Sequence, residues 1–285
     1  MPNHNPPWTS AYQELSSFFA CLILLALTAF LFRQVSVTPA ICFFFLLSVV
    51  PILQFWTGKM FFASDALMAS LFISGFSVML LVGLNFSLWE GLRRFFVVML
   101  ASVMVAAAVL SVCIAMRQWL LFPSGSFWVI DVSWGARPFA NLAQPNSLAT
   151  LLCMGLSGVF YLYEARYINR FSSSLLTIFL ILGVALTQSR TPWVSVVAVL
   201  LYWTWRSSSI AMRLPFFALC GWVVFYVFCV FALPYVAEVL YLSGEYVVGG
   251  VERASVATRL TMWGQLWQAV LAGGWLGQCM VGILS

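Results

Sequence analysis

Polar positions thin out along most of this chain until whole stretches carry no charge. Residues 15–32, 34–58, 66–89, 95–116, 138–163, 171–189, 191–205, 214–237 and 260–285 contain no Asp, Glu, Lys or Arg. These runs do not alternate apolar with polar positions, as the short strands of an outer-membrane barrel would. A helix needs about 20 apolar residues to cross a bilayer. Within hydrocarbon every backbone N–H and C=O must find an internal partner, so such runs are helices. The pattern predicts eight spans near 15–32, 40–56, 66–84, 95–116, 146–163, 172–187, 191–205 and 214–235. The expected fold is all-α, a polytopic transmembrane helical bundle forming a single integral-membrane domain over 1–285. No internal repeat and no separate soluble domain is visible.

The sixth and seventh spans are short and meet at Thr187-Gln188-Ser189-Arg190-Thr191-Pro192. One unbroken helix over 172–205 would be about 51 Å long, against a hydrocarbon core of about 30 Å. The chain is therefore expected to turn there, with Pro192 in the first turn of the next helix. The stretch from Trp263 to Ser285 contains Gly264, Gly273, Gly274 and Gly277 with Gln265, Gln268 and Gln278. It reads as an interfacial or partial helix.

Composition agrees with the pattern. Of 285 residues 63% are hydrophobic and only 7% are charged, whereas a soluble domain carries about 25% charged residues. The net charge of +5 comes without a basic run, so it speaks for the Arg/Lys excess of cytoplasmic loops and not for nucleic acid. Alternating the spans places loops 33–39, 85–94, 164–171 and 206–213 on one side with seven basic residues. Loops 57–65, 117–145, 188–190 and 236–261 fall on the other side with six. The first set is much shorter and so denser in arginine, which assigns it to the cytoplasm and the N-terminus to the outside. The N-terminal segment has no basic run of the signal-peptide kind.

The outer loops hold the candidate chemistry. Arg137 precedes Gln144-Pro145-Asn146 at the start of a span, Arg190 stands alone between two apolar helices, and Arg253 and Arg259 lie in the last loop. The arginine fork donates two parallel bonds to a phosphate and stays charged. An ionisable residue at membrane depth is a functional candidate by default; snorkelling to the interface or capping the preceding helix is the structural alternative. Asn146 reads as an N-cap, and the helix it opens would attract an anion. Asp65, Asp131, Glu238, Glu245 and Glu252 are assigned to outer loops and form no evident pair. The spans hold no acid, which argues against a proton-coupled transporter. The seven cysteines form no C-x-x-C and read as small hydrophobes. The single histidine, His4, lies in a Pro/Asn-rich tail, and no P-loop or G-x-S-x-G occurs.

These segments resemble the bacterial O-antigen ligases and the related protein O-oligosaccharyltransferases of the pilin-glycosylating type. Arg137 with Gln144-Pro145-Asn146 resembles their R…QPN segment, and Leu186-Thr187-Gln188-Ser189-Arg190-Thr191 resembles their LT-x-SR turn. Arg259-Leu260-Thr261-Met262-Trp263 resembles their R-x-x-x-W element. Pro6-Pro7-Trp8-Thr9-Ser10 with Glu14, and Leu53-Gln54 followed by Gly58, look like the protein-glycosylating branch.

The resemblance implies a glycosyltransferase of the bacterial inner membrane, multi-pass, with its active side periplasmic. A glycan on undecaprenyl diphosphate would move to Ser or Thr of a pilin or other periplasmic protein, or to lipid A-core. No metal, other cofactor or nucleotide sugar is implied. Arg137, Gln144, Asn146, Ser189, Arg190 and Arg259 would bind the lipid diphosphate. Family members carry a large periplasmic loop with a histidine after the R-x-x-x-W element. This sequence ends at Ser285 before any such loop. The expectation is a fragment that lacks its catalytic histidine, possessing ligase ancestry with its catalytic residue unassigned. The competing readings are an O-antigen polymerase and a non-enzymatic transporter or flippase of lipid-linked glycans.

Overall fold

The computed structural model describes residues 11–32, 34–123, 129–142, 144–207, 212–242, 261, 263–265 and 267–268. Its regular elements are α1 (Ala11–Leu31), α2 (Pro39–Leu47), α3 (Val50–Trp56), α4 (Ala63–Ser87), α5 (Glu90–Trp119), α6 (Pro145–Glu164), α7 (Arg170–Leu186), α8 (Thr191–Ser207) and α9 (Phe216–Val239). Among the described residues no strand occurs, so the all-α bundle expected from the apolar runs is what the chain forms. Among the described residues five segments are long and apolar enough to cross a membrane: Pro39–Trp56, Ala63–Ser87, Glu90–Trp119, Pro145–Glu164 and Phe216–Val239. Leu15–Leu31 and Arg170–Leu186 are shorter apolar helices. Large apolar side chains point outward along the spans, with Phe30 86% and Phe217 87% exposed. Water does not tolerate contiguous apolar surface on this scale, but lipid does. The chain is a multi-pass membrane protein.

The span expected at 40–56 is divided. Helix α2 ends at Leu47, and α3 begins at Val50 with Pro51 in its first turn. Proline has no N–H to give to the carbonyl four residues back, so the ladder is interrupted at this point. The Ser70 hydroxyl of α4 donates to the Ser48 carbonyl at 2.6 Å and satisfies part of the break. Asp65 and Glu238 also depart from expectation. Both belong to helix ends, Asp65 in the first turn of α4 and Glu238 in the last turn of α9, since the helices outrun the hydrophobic windows by a turn.

The described residues fall into two compact units, one built on residues 13–93 and one on residues 94–242. In the first, α4 packs on α2 and α3. Asn85 is fully buried there. Its Oδ1 accepts from the Ser36 N–H at 2.8 Å, and its Nδ2 donates to the Ser36 carbonyl at 3.0 Å.

In the second unit α6 packs on α7 and α8, and α7 packs on α9. Small residues make the close approaches. A side-chain carbon on Gly155 would collide with Ala108 of α5, and one on Gly183 would collide with Val112. One on Gly158 would lie 3.0 Å from the Ala101 carbonyl. Helices in lipid gain little from burying apolar area, so they associate by such backbone-close packing. Leu148, Leu152 and Leu180 fill the seam and are fully buried.

Loop contacts in this unit follow the alternation of spans. At the end where α6 closes, Arg94 donates from Nε to the Tyr167 hydroxyl at 3.1 Å. There the Glu164 carboxylate also accepts the backbone N–H groups of Arg213 and Leu214 at 2.9 and 2.7 Å. At the end where α6 opens, the 129–142 segment meets the 187–190 turn and Tyr241. Loops that alternation of the spans puts at the same end are thus in contact within this unit.

Candidate functional site

The turn between α7 and α8 is built by local chemistry. Helix α7 ends at Leu186, with Thr187 as its C-cap. Gln188 then adopts φ 48, the left-handed conformation that reverses a helix end. A side chain other than Gly there costs about 1–2 kcal/mol. Two bonds offset that cost: the Gln188 N–H donates to the Ala185 carbonyl at 3.1 Å, and the Thr187 hydroxyl donates to the Val184 carbonyl at 2.7 Å. Pro192 falls in the first turn of α8, as expected.

Ser189 faces inward from this turn and is buried. Its hydroxyl donates to Asn146 Oδ1 at 2.8 Å and accepts the Thr191 N–H at 3.3 Å. Asn146 is therefore not the N-cap that the sequence suggested. Gln144 occupies the cap with an extended backbone and Pro145 opens the helix. Pro145 has no N–H to be capped, and its ring fixes the helical φ two residues earlier than an Asn146 cap would allow. Asn146 is thereby turned toward Ser189, and the Thr150 hydroxyl donates to its carbonyl at 3.0 Å.

Arg137 reaches the same turn from the 129–142 segment. Its Nη1 donates to the Gln188 carbonyl at 3.4 Å, a long bond for this donor. The Arg190 side chain is exposed, and among the described residues its guanidinium has no hydrogen-bonding partner. The fold thus gathers Arg137, Asn146, Ser189 and Arg190 around one turn. Gln144 is exposed at the helix cap and contributes no side-chain bond to the cluster. Arg259, and with it Arg253, Glu245, Glu252 and Cys279, lies outside the described residues.

Two features were not foreseen. A cavity of about 390 Å³ lies among α6, α7, α8 and α9, with almost wholly apolar walls that include Leu156, Val184, Val199 and Trp222. Thr150, Thr191 and Pro192 also line it, so it opens beside the Asn146–Ser189 bond. The second is Gln118 near the end of α5, 4% exposed, which bonds to the segment that carries Arg137. Close by, Arg117 pairs with Asp131 at 3.2 Å. Gln118 stood in the sequence as an uncharged polar residue near the end of an apolar run, but no spacing rule pairs it with residues beyond its own helix.

No protein-family profile matches the chain, and no solved structure matches it. It is 30% identical over 281 residues to a General O-oligosaccharyltransferase of Acinetobacter baylyi, covering 97% of this chain and 49% of that protein. It is 26% identical over 284 residues to a ComP-specific O-oligosaccharyltransferase of the same organism, covering 97% of this chain and 50% of that protein. The chain spans about half the length of the curated relatives it matches. Nearly the whole of this chain is thus similar to about half of each of two proteins named O-oligosaccharyltransferases, and its helical membrane plan agrees with that likeness.

Proposed function

We propose that this chain binds a glycan carried on undecaprenyl diphosphate and serves its transfer to a hydroxyl acceptor at the periplasmic face of the inner membrane. The acceptor is a Ser or Thr of a pilin or other periplasmic protein, or a sugar of lipid A-core. One observation carries the reading: an exposed arginine on a braced turn, next in sequence to Thr191 and Pro192, which line an apolar cavity. A lipid diphosphate has two parts, and this arrangement suits each. The cavity takes isoprenoid chain, and Arg190, supported by Arg137 and the Ser189–Asn146 brace, takes the anionic head. Arg259 acts on the same head.

In the reaction the acceptor oxygen forms a bond to the anomeric carbon while the bond from that carbon to the diphosphate oxygen breaks. The acceptor proton passes to a base, and undecaprenyl diphosphate departs. Negative charge grows on the leaving diphosphate, and donors aimed at it lower the barrier. Substrate-positioning arginines also hold the two reacting atoms in line.

The test is Arg190→Ala placed at the native locus. Glycosylation of the acceptor is expected to disappear while the protein remains in the membrane at its usual level. Unchanged glycosylation overturns the reading. Accumulation of lengthened glycan on lipid, with no transfer lost, would assign the chain to polymerisation instead.

A further inference from the structure

The 129–142 segment is long for a connection with no regular structure of its own, and one side chain closes it at the base. Gln118 Nε2 donates to the Ile130 carbonyl at 2.9 Å and to the Ala140 carbonyl at 2.9 Å. Gln118 Oε1 accepts the Ala140 N–H at 2.7 Å and the Phe139 N–H at 3.1 Å. A single primary amide thus uses both donors and both acceptor sites, and all of its partners are backbone groups of this one segment. Ile130 and Ala140 are ten residues apart in sequence and are held to the same nitrogen. The residues between them form a cinched arc, and Arg137 lies in it, two positions before the first of the bonded N–H groups.

The bonds also fix an unfavourable backbone. Ala140 has φ 51 and is fully buried. An L-residue held there needs its surroundings to enforce the conformation, and Gln118 binds both the N–H and the carbonyl of that residue. The Arg137 side chain leaves the arc toward the Gln188 carbonyl, so its reach to the turn depends on where the arc is clamped.

We propose that Gln118 is a positioning residue for lipid-diphosphate binding, acting through Arg137 by setting the register of the 130–140 arc against the α7–α8 turn. The proposal rests on the donor-binding reading above. Gln118 does not touch the ligand; it decides whether the Arg137 fork meets it. Neither Asn, shorter by one methylene, nor Glu, which has no donor, reproduces the four bonds.

The experiment uses the full chain in lipid nanodiscs with undecaprenyl diphosphate as the probe. Affinities are measured for wild type, Gln118→Asn, Gln118→Glu, Arg137→Ala, the pair Gln118→Asn with Arg137→Ala, and Arg190→Ala. Hydrogen exchange at the amides of Phe139 and Ala140 is followed in parallel. Each Gln118 variant is expected to bind about tenfold more weakly, the scale of one lost charge-assisted hydrogen bond. The pair should bind no more weakly than Arg137→Ala alone, because both changes remove one interaction. Exchange at Phe139 and Ala140 should rise in the Gln118 variants and stay slow in Arg137→Ala.

A merely structural Gln118 would give additive losses in the pair, and that result overturns the proposal. So does wild-type affinity in both Gln118 variants, or unchanged exchange at the two amides. If Arg190→Ala also binds as wild type, the donor-binding reading itself has failed. If Arg190→Ala loses binding while the Gln118 variants keep it, only the positioning role is lost.

Discussion

The hydroxyl of Ser189 donates to Asn146 Oδ1 over 2.8 Å and so ties the turn between α7 and α8 to the first turn of α6. These residues are far apart in sequence, and neither is bonded by an element of regular structure to the other. Thr150 and Thr191, which line the cavity among α6, α7, α8 and α9, lie close in sequence to the two bonded residues.

Ser189→Ala should therefore lower the stability of the fold by about 1–2 kcal/mol, because Asn146 Oδ1 loses its partner at a half-buried position. The unfolding midpoint in denaturant, read by tryptophan fluorescence in detergent, checks the value. Asn146→Asp separates brace from binding. It keeps the acceptor oxygen and should unfold near the wild-type midpoint, but its added negative charge should weaken undecaprenyl diphosphate binding. An Asp variant that binds as well as wild type would remove Asn146 from the head-group site.

Two glycines should respond with opposite sign. A methyl group on Gly183 collides with the buried Val112, whereas one on Gly221 meets nothing within 4 Å. Gly183→Ala is expected to cost about 1–3 kcal/mol by overpacking. Gly221→Ala in α9 should be neutral or stabilising by up to about 1 kcal/mol, since alanine loses less backbone freedom in a helix. The same unfolding midpoints decide it, and equal effects at both positions would contradict the small-residue seam.

Filling the cavity should affect the chain of the ligand and spare its head. Ala198 lines the cavity from α8, and Ala198→Trp places an indole in the space proposed for isoprenoid. Undecaprenyl diphosphate should bind at least several-fold more weakly, while inorganic pyrophosphate binds as before. Calorimetry with the two ligands makes the comparison. An equal loss for both would mean that the turn had been disturbed.

The orientation in the membrane follows from arginine density alone and is open to direct measurement. A reporter fused at Arg94 should be active as a cytoplasmic fusion, and one at Asp131 as a periplasmic fusion. The reverse pattern would move the Arg190 turn to the cytoplasm.

The helix positions were legible because hydrocarbon imposes a single demand, a long run without charge, although among the described residues only five of the eight expected spans are long and apolar enough to cross a membrane. The turn at 187–192 was legible for the same reason, as one helix of that length would overshoot the core. The division at Pro51 was missed because the apolar run passes through it, and an apolar run does not record whether the backbone ladder is intact. Arg190 stood out as a lone charge between two apolar helices, whereas Arg137 and Ser189 were picked out by the resemblance of the segments that carry them. Asn146 was recognised, but its task was misread, because Pro145 shifts the helix start by two positions and turns that side chain from the cap toward Ser189. Gln118 and the cavity depend on contacts between distant segments, which no local pattern carries.

Arg190 is the residue proposed to hold the diphosphate of a lipid-linked donor. The most direct measurement is the affinity of the chain in nanodiscs for undecaprenyl diphosphate, with Arg190→Ala compared to wild type at several salt concentrations. The account predicts at least tenfold weaker binding in the variant, with a shallower dependence on salt, and little change for uncharged undecaprenol. Equal affinity for the diphosphate in both proteins, or equal losses for diphosphate and undecaprenol, would contradict it.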